Sequence, residues 1–161
     1  MIAHLSRDEI AGKSIQVKGI SVVQNNLVVE PASDADLPAL VTLWHACNLV
    51  TDYNDPLDDI GFARGKANSD VLVGRLDGAL LASVMVGHDG HRGWLWYVAV
   101  DPSAQKEGFG AQIVKGGEDW LRQRGVRKAM LLIRETNTGV RTFYERIGYE
   151  AVPRIVMQRW L

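Results

Sequence analysis

The sequence predicts an α/β or α+β domain in which helices flank a mixed central sheet. Three observations carry this. An apolar run ends at Val98-Ala99-Val100-Asp101-Pro102 and passes through a glycine-bearing loop into an amphipathic helix near Phe109. Two apolar runs, Val71–Leu76 and Ala79–Val86, are separated only by Asp77-Gly78, a strong two-residue hairpin signal. Ala129–Ile133 is nearly all apolar, as befits a strand covered on both faces.

Residues 1–26 read as an N-terminal extension of uncertain structure. Ser6 and Glu9 form a possible capping box for a short helix, and Ile15–Val17 and Ile20–Val22 alternate weakly like short strands. The main domain, 27–161, begins with a strand at Leu27–Val29. Ser33 with Asp36 then opens a helix that places Leu37, Leu40, Val41 and Trp44 on one face. Asn54-Asp55-Pro56 breaks that helix, and Leu57–Asn68 reads as a weaker one. After the hairpin, the turn Gly87–His91 leads to a strand over Gly93–Val100.

The next helix carries Phe109, Ile113, Val114, Trp120 and Leu121 on its apolar face. Gly116-Gly117 in its middle costs about 1 kcal/mol per residue against alanine, which implies close packing there. Gly125 suits the residue just past its end. Asn137 or Thr138 caps a last helix bearing Val140, Phe143, Tyr144 and Ile147, which Gly148 ends. Tyr149–Val152 and Ile155–Trp160 read as terminal strands.

The chain has 161 residues, a net charge of −1 and one cysteine, Cys47. No global basic field points to nucleic acid. No apolar run approaches the roughly 20 residues needed to span a membrane, and no apolar leader is visible near the N-terminus. A single cysteine forms no intrachain disulfide, which suits a cytoplasmic setting. Arg122, Arg124, Arg127 and Lys128 read as a solvated helix end.

A glycine loop at a helix N-terminus aims free backbone N–H groups at one point, where an anion binds. The P-loop string is absent. Gly108-x-Gly110 is followed by Ile113 where a dinucleotide fingerprint needs its third glycine. The spacing that fits is Val100, Pro102, Gln105, Gly108 and Gly110, joined further on by Asn137, Phe143-Tyr144-Glu145 and Gly148-Tyr149. Together these two blocks resemble the acetyl-CoA loop and the second motif of the GCN5-related N-acetyltransferase (GNAT) superfamily, over roughly 27–161. Leu43-Trp44, Cys47, Asn54-Asp55-Pro56, Asp59-Ile60 and Gly90–Gly93 are similar to the small bacterial YpeA-type subgroup, for which no acceptor is settled.

The resemblance implies a mostly antiparallel sheet whose middle strands splay apart. It implies an acetyl-CoA-dependent transfer of acetyl directly to a primary amine of a small molecule or protein. Backbone groups of Gln105, Lys106, Glu107, Gly108, Phe109, Gly110 and Ala111 would hold the CoA pyrophosphate, with Gly108 and Gly110 admitting the backbone without a Cβ clash. Val98, Ala99 and Val100 would lie along the pantetheine arm, bonded as if to an added strand. Asn137 would contact the cofactor arm, and Tyr144 would protonate the leaving thiolate as general acid.

The superfamily's strand glutamate is not inherited, since Trp94, Trp96 and Tyr97 occupy that strand. The base therefore stays open among Asp55, Asp52, Asp89, His88, His91 and a water relay, with Asp55 also a possible acceptor contact. Asp52, Asn54, Asp55, Asp58 and Asp59 would rim the acceptor side, with Tyr53, Trp44 and Trp96 as an aromatic wall. Cys47 lies in a helix away from both motifs, so a covalent acyl-enzyme is not expected. His88-x-x-His91 lacks a third ligand pattern, so no metal is expected. The protein would be a monomer or homodimer, with no nucleic-acid or membrane partner. The alternative to an enzyme is a non-catalytic acyl-CoA-binding module of the same fold.

Overall fold

The computed structural model describes residues 16–17, 20–21 and 25–160. The possible helix at Ser6–Ile10 lies outside them. Strands β1 (Gln16–Val17) and β2 (Ile20–Ser21) pair antiparallel as a small separate ribbon.

The main sheet has five strands in the order β3 (Val28–Pro31), β4 (Ser69–Leu76), β5 (Ala79–His88), β6 (Gly93–Val100) and β7 (Ala129–Met130). The first four pair antiparallel, and β6 and β7 run parallel. Parallel neighbours need a crossover, and α3 (Phe109–Gln123) supplies it. Asp77 and Gly78 both have positive φ, at 50° and 84°, as the predicted hairpin turn requires.

Helices α1 (Leu37–Ala46) and α2 (Pro56–Ala63) cover one face of the sheet. Leu40 and Trp44 of α1 bury there against Val71, Val73, Met85 and Ala99. On the other face α3 and α4 (Thr138–Arg146) bury Ile113, Val114, Leu121 and Tyr144 against Leu72, Val84, Val86 and Leu95. Val71 and Val73 thus face one core while Leu72 faces the other, the period-two signature of a strand buried on both sides. The capping box forms: Asp36 Oδ2 accepts from the Ser33 N–H and from Ser33 Oγ, both at 2.8 Å. Gln112 of α3 fastens the start of β3, accepting from the Leu27 N–H (2.7 Å) and donating to the Asn25 carbonyl (3.0 Å).

Gly116 and Gly117 explain themselves in this packing. A Cβ on Gly116 would lie 2.6 Å from Val29 Cγ1, and one on Gly117 2.8 Å from Leu95 Cδ2. Among the described residues, no helix is long and apolar enough to cross a membrane.

Three elements differ from expectation. Helix α2 stops at Ala63 instead of Asn68, because Gly65 turns the chain at φ 66° and Ser69 Oγ takes the Ala63 carbonyl at 2.8 Å. The strand expected over Ala129–Ile133 forms a ladder only at Ala129–Met130, since it pairs with β6 at Gly93 and Trp94 and then diverges. The two terminal strands do not form; Ile155 and Met157 are 92% and 90% exposed. So short a β7 offers them little ladder, and Pro153 removes a donor between them.

Candidate active site

Beyond its pairing with β7 at Gly93 and Trp94, β6 has no strand partner on that edge among the described residues. The free stretch, Leu95–Val100, contains a bulge. Met85 pairs with Trp96 and Ser83 with Ala99, so Tyr97 and Val98 together oppose Val84. Tyr97 carries the extra residue's strain, with φ 48°, a left-handed conformation that costs a bulky residue about 1–3 kcal/mol.

Three contacts hold it there. Its ring stacks on Trp44 at 4.0 Å and 19°. Its hydroxyl donates to Asp59 Oδ2 at 2.5 Å, which also accepts from Asn54 Nδ2 at 3.0 Å. Its carbonyl accepts from Ser83 Oγ at 3.4 Å, and that oxygen accepts from Trp44 Nε1 at 2.9 Å. Burial and the hydrogen bond to Asp59 push the Tyr97 phenol up to about 12.

The strand runs straight into the predicted loop. Asp101 Oδ1 accepts from the Ser103 N–H at 2.8 Å and closes the first turn. Gln105 Nε2 donates back to the Val100 carbonyl at 3.3 Å. Lys106 and Gly108 take left-handed conformations, at φ 71° and 86°, and Phe109 buries its ring to anchor the helix start. Among the described residues, no acceptor takes the N–H groups of 105–111. Three of them, from Phe109, Gly110 and Ala111, are the orphan donors of a fifteen-residue helix.

The two loop glycines differ. A Cβ on Gly108 would meet open space, whereas one on Gly110 would meet the Phe143 ring at 3.1 Å. Gly110 is thus also where α3 packs closely on α4.

Asn137 caps α4, its Oδ1 accepting from the Val140 N–H at 3.3 Å. Tyr144 lies two turns further along the same face, 7% exposed, edge-on to Phe143 and Tyr149. Burial alone pushes its phenol up to about 12. Asn137, Tyr144 and Tyr149 line one groove of about 1400 Å³ with Leu131, Ile133 and Ile155.

The acidic segment divides by role. Asp55 is exposed and caps α2, accepting from the Leu57 N–H at 2.7 Å. Asp52 and Asp58 are exposed. Asp59 alone among them reaches β6. Trp44 is fully buried and belongs to the core instead of a pocket wall; of the three expected there, Tyr53 and Trp96 are exposed, and Tyr53 meets Trp160 edge-on. Asp89, His88 and His91 sit at the opposite end of β6 from the loop: His88 pairs with Gly93, four residues or roughly 13 Å from Tyr97 at 3.3 Å per residue. Asp89 is committed to its turn, where the N–H groups of Arg92 and His91 and the Trp94 indole hold its carboxyl far below the usual range. Among the described residues, no three metal-ligating side chains come together.

Cys47 corrects its expected remoteness. Its thiol donates to the Val100 carbonyl at 3.3 Å, directly before the loop. Burial pushes the thiol up, so it stays protonated and is a poor nucleophile.

The model of the acetyltransferase (GNAT) family matches residues 37–149. An acetyltransferase of Pectobacterium atrosepticum is 37% identical over 129 residues, covering 78% of this chain and 89% of the relative. An acetyltransferase of Yersinia enterocolitica is 35% identical, over 79% and 90%. The solved structure of AAC(6')-Iy in complex with the bisubstrate analogue CoA-S-monomethyl-acetylneamine shares the fold at TM-score 0.72 and 16% identity, over 84% of this chain and 99% of that one. Matched over 37–149, which takes in both motif blocks, by the family's model, and similar to relatives of nearly the same length, the chain belongs to the acetyltransferase (GNAT) family and is an N-acetyltransferase.

Proposed function

We propose that the protein transfers acetyl from acetyl-CoA directly to a primary amine of a small molecule or protein. One observation carries this reading: among the described residues, a strand edge without a strand partner, Leu95–Val100, runs directly into unpaired N–H groups at the start of α3. An extended amide-bearing chain ending in a phosphate fits that combination. The edge offers bonds by strand addition, and the helix start offers bonds to the anion. The CoA conjugate bound by the similarly folded AAC(6')-Iy is consistent with it.

In this reading Gln105–Ala111 hold the pyrophosphate through backbone donors, with Lys106 adding charge at the rim. Val98 presents its backbone groups and Val100 its N–H to the pantetheine amides, the Val100 carbonyl being taken by Gln105 and Cys47, and Ala99 turns into the core behind them. Asn137 contacts the arm while capping α4. The amine lone pair attacks the thioester carbonyl carbon, the C–S bond breaks, the sulfur takes the Tyr144 proton, and the proton shed by the acylated nitrogen returns through water to the phenol. A phenol held near 12 keeps that proton at neutral pH, and no hydrogen bond among the described residues diverts it. The ammonium of the acceptor loses its proton beforehand to Asp55 or to water at the exposed rim. Holding both reactants in register supplies much of the rate.

The test is thiol release from acetyl-CoA across a panel of small primary amines and peptides, beside calorimetric titration with CoA. Turnover with any amine supports the reading. An enzyme that neither binds CoA nor releases thiol with any acceptor overturns it.

A further inference from the structure

The geometry points to Asp59 as a positioning residue for acetyl transfer, acting through Tyr97 to hold the bulge of β6 in its productive shape. The inference rests on the reading that the acetyl-bearing arm lies along Leu95–Val100.

Tyr97 is one of four non-glycine residues with positive φ among the described residues, the others being Asn48, Asp77 and Lys106. Those three lie in turns, whereas Tyr97 lies inside a strand. Such a conformation persists in a strand only where the surroundings over-determine it. Here they do so from one side. Trp44 and Ser83 hold the ring face and the carbonyl from the core, while Asp59 holds the hydroxyl from the first turn of α2. Asn54 donates to the same Asp59 oxygen, which fixes the carboxylate as an acceptor for the tyrosine.

The bulge takes in Val98 and lies just before Val100, and the backbone groups of Val98 and the N–H of Val100 face the proposed arm. A residue that lets Tyr97 relax toward ordinary strand geometry would shift those groups without touching the loop at 105–111. Asp59 belongs to α2, so that helix and the edge of β6 proposed to carry the cofactor are mechanically joined through one hydrogen bond. Loss of that bond therefore lowers the rate of transfer more than it weakens CoA binding.

The experiment compares Asp59→Ala, Asp59→Asn, Tyr97→Phe and the double variant Asp59→Ala/Tyr97→Phe. It reads kcat for thiol release from acetyl-CoA with the best amine of the panel, the Kd for CoA, and the melting temperature. Asp59→Ala and Tyr97→Phe are expected each to lower kcat about tenfold with the Kd for CoA changed less than about threefold, because misplacement acts on the reacting geometry. The double variant should lose no more than the worse single one, as a shared hydrogen bond requires. Asp59→Asn, which keeps an acceptor for the hydroxyl, should recover most of the rate.

Unchanged kcat in Asp59→Ala with only a lower melting temperature overturns the inference in favour of a purely structural helix-turn charge. An Asp59→Asn enzyme as slow as Asp59→Ala overturns it in favour of direct proton transfer. Additive losses overturn it as well. Wild-type protein without CoA binding or turnover defeats the underlying reading instead, and is recognised before any variant is made.

Discussion

Phe143 of α4 lies over Gly110 of α3 so closely that a Cβ there would come within 3.1 Å of the ring. The loop glycine and the helix carrying Tyr144 are thus packed against each other, which joins the two motif blocks mechanically. Gly108 plays a different part, with open space at its Cβ position and φ at 86°. Alanine at Gly108 should cost about 1–2 kcal/mol through the left-handed backbone alone. Alanine at Gly110 should be limited by the ring. Adding Phe143→Leu should therefore restore stability to Gly110→Ala and leave Gly108→Ala unimproved, as read by denaturant unfolding. Equal rescue of both would mean that the ring contact is not what Gly110 serves.

Gly116 faces the stiff, β-branched Val29, whose Cγ1 would sit 2.6 Å from a new Cβ. On helix propensity alone Gly116→Ala should stabilise by about 1 kcal/mol. Overpacking costs about 1–3 kcal/mol and should win, leaving a net loss of about 1 kcal/mol. Pairing it with Val29→Ala should remove the clash, so the double variant should be more stable than Val29→Ala alone. A stabilised Gly116→Ala single variant would refute the packing account.

The double glycine was legible as a close-packing signal because its cost in a helix demands a reason, and the Ser33–Asp36 box and Asp77-Gly78 turn were legible because local chemistry alone decides them. The loop likewise announced itself through spacing. Tyr97 did not, because its left-handed backbone is imposed by Trp44, Ser83 and Asp59 from distant parts of the chain. The Cys47–Val100 contact is long-range in the same way. Ile155 and Met157 alternate like a strand, yet alternation states only which face is apolar and cannot supply the partner edge that the two-residue β7 leaves short.

Asp36 ties the start of α1 to β4. Burial opposes its charge, but the Ser33 N–H, Arg75 and Ser33 Oγ together hold its carboxyl below the usual range. A folded-state pKa below the unfolded value gives stability that is full above the unfolded value, near 3.9, and is lost as pH falls through the folded one. Asp36→Asn should therefore cost about 2 kcal/mol at pH 7, the scale of hydrogen bonds to a charged group. Its deficit against wild type should shrink as pH is lowered below about 4. Thermal melts from pH 7 to pH 2.5 measure both; a deficit that stays constant or grows in acid would exclude this linkage.

Tyr144 gives the sharpest chemical test. If its hydroxyl protonates the leaving sulfur, Tyr144→Phe should lower kcat by about 10²–10⁴-fold while CoA still binds, because the ring keeps its edge contacts with Phe143 and Tyr149. The pH profile carries a second expectation. A general acid works in its protonated form, and burial pushes this phenol up to about 12. The wild-type kcat should therefore rise with pH as the acceptor amine deprotonates, and should show no descending limb from Tyr144 up to pH of about 10. A descending limb between pH 8 and 9 that disappears in Tyr144→Phe would place the phenol far below its buried value. Full kcat in the phenylalanine variant would remove the proton-donor role outright and leave Tyr144 as a core aromatic on α4.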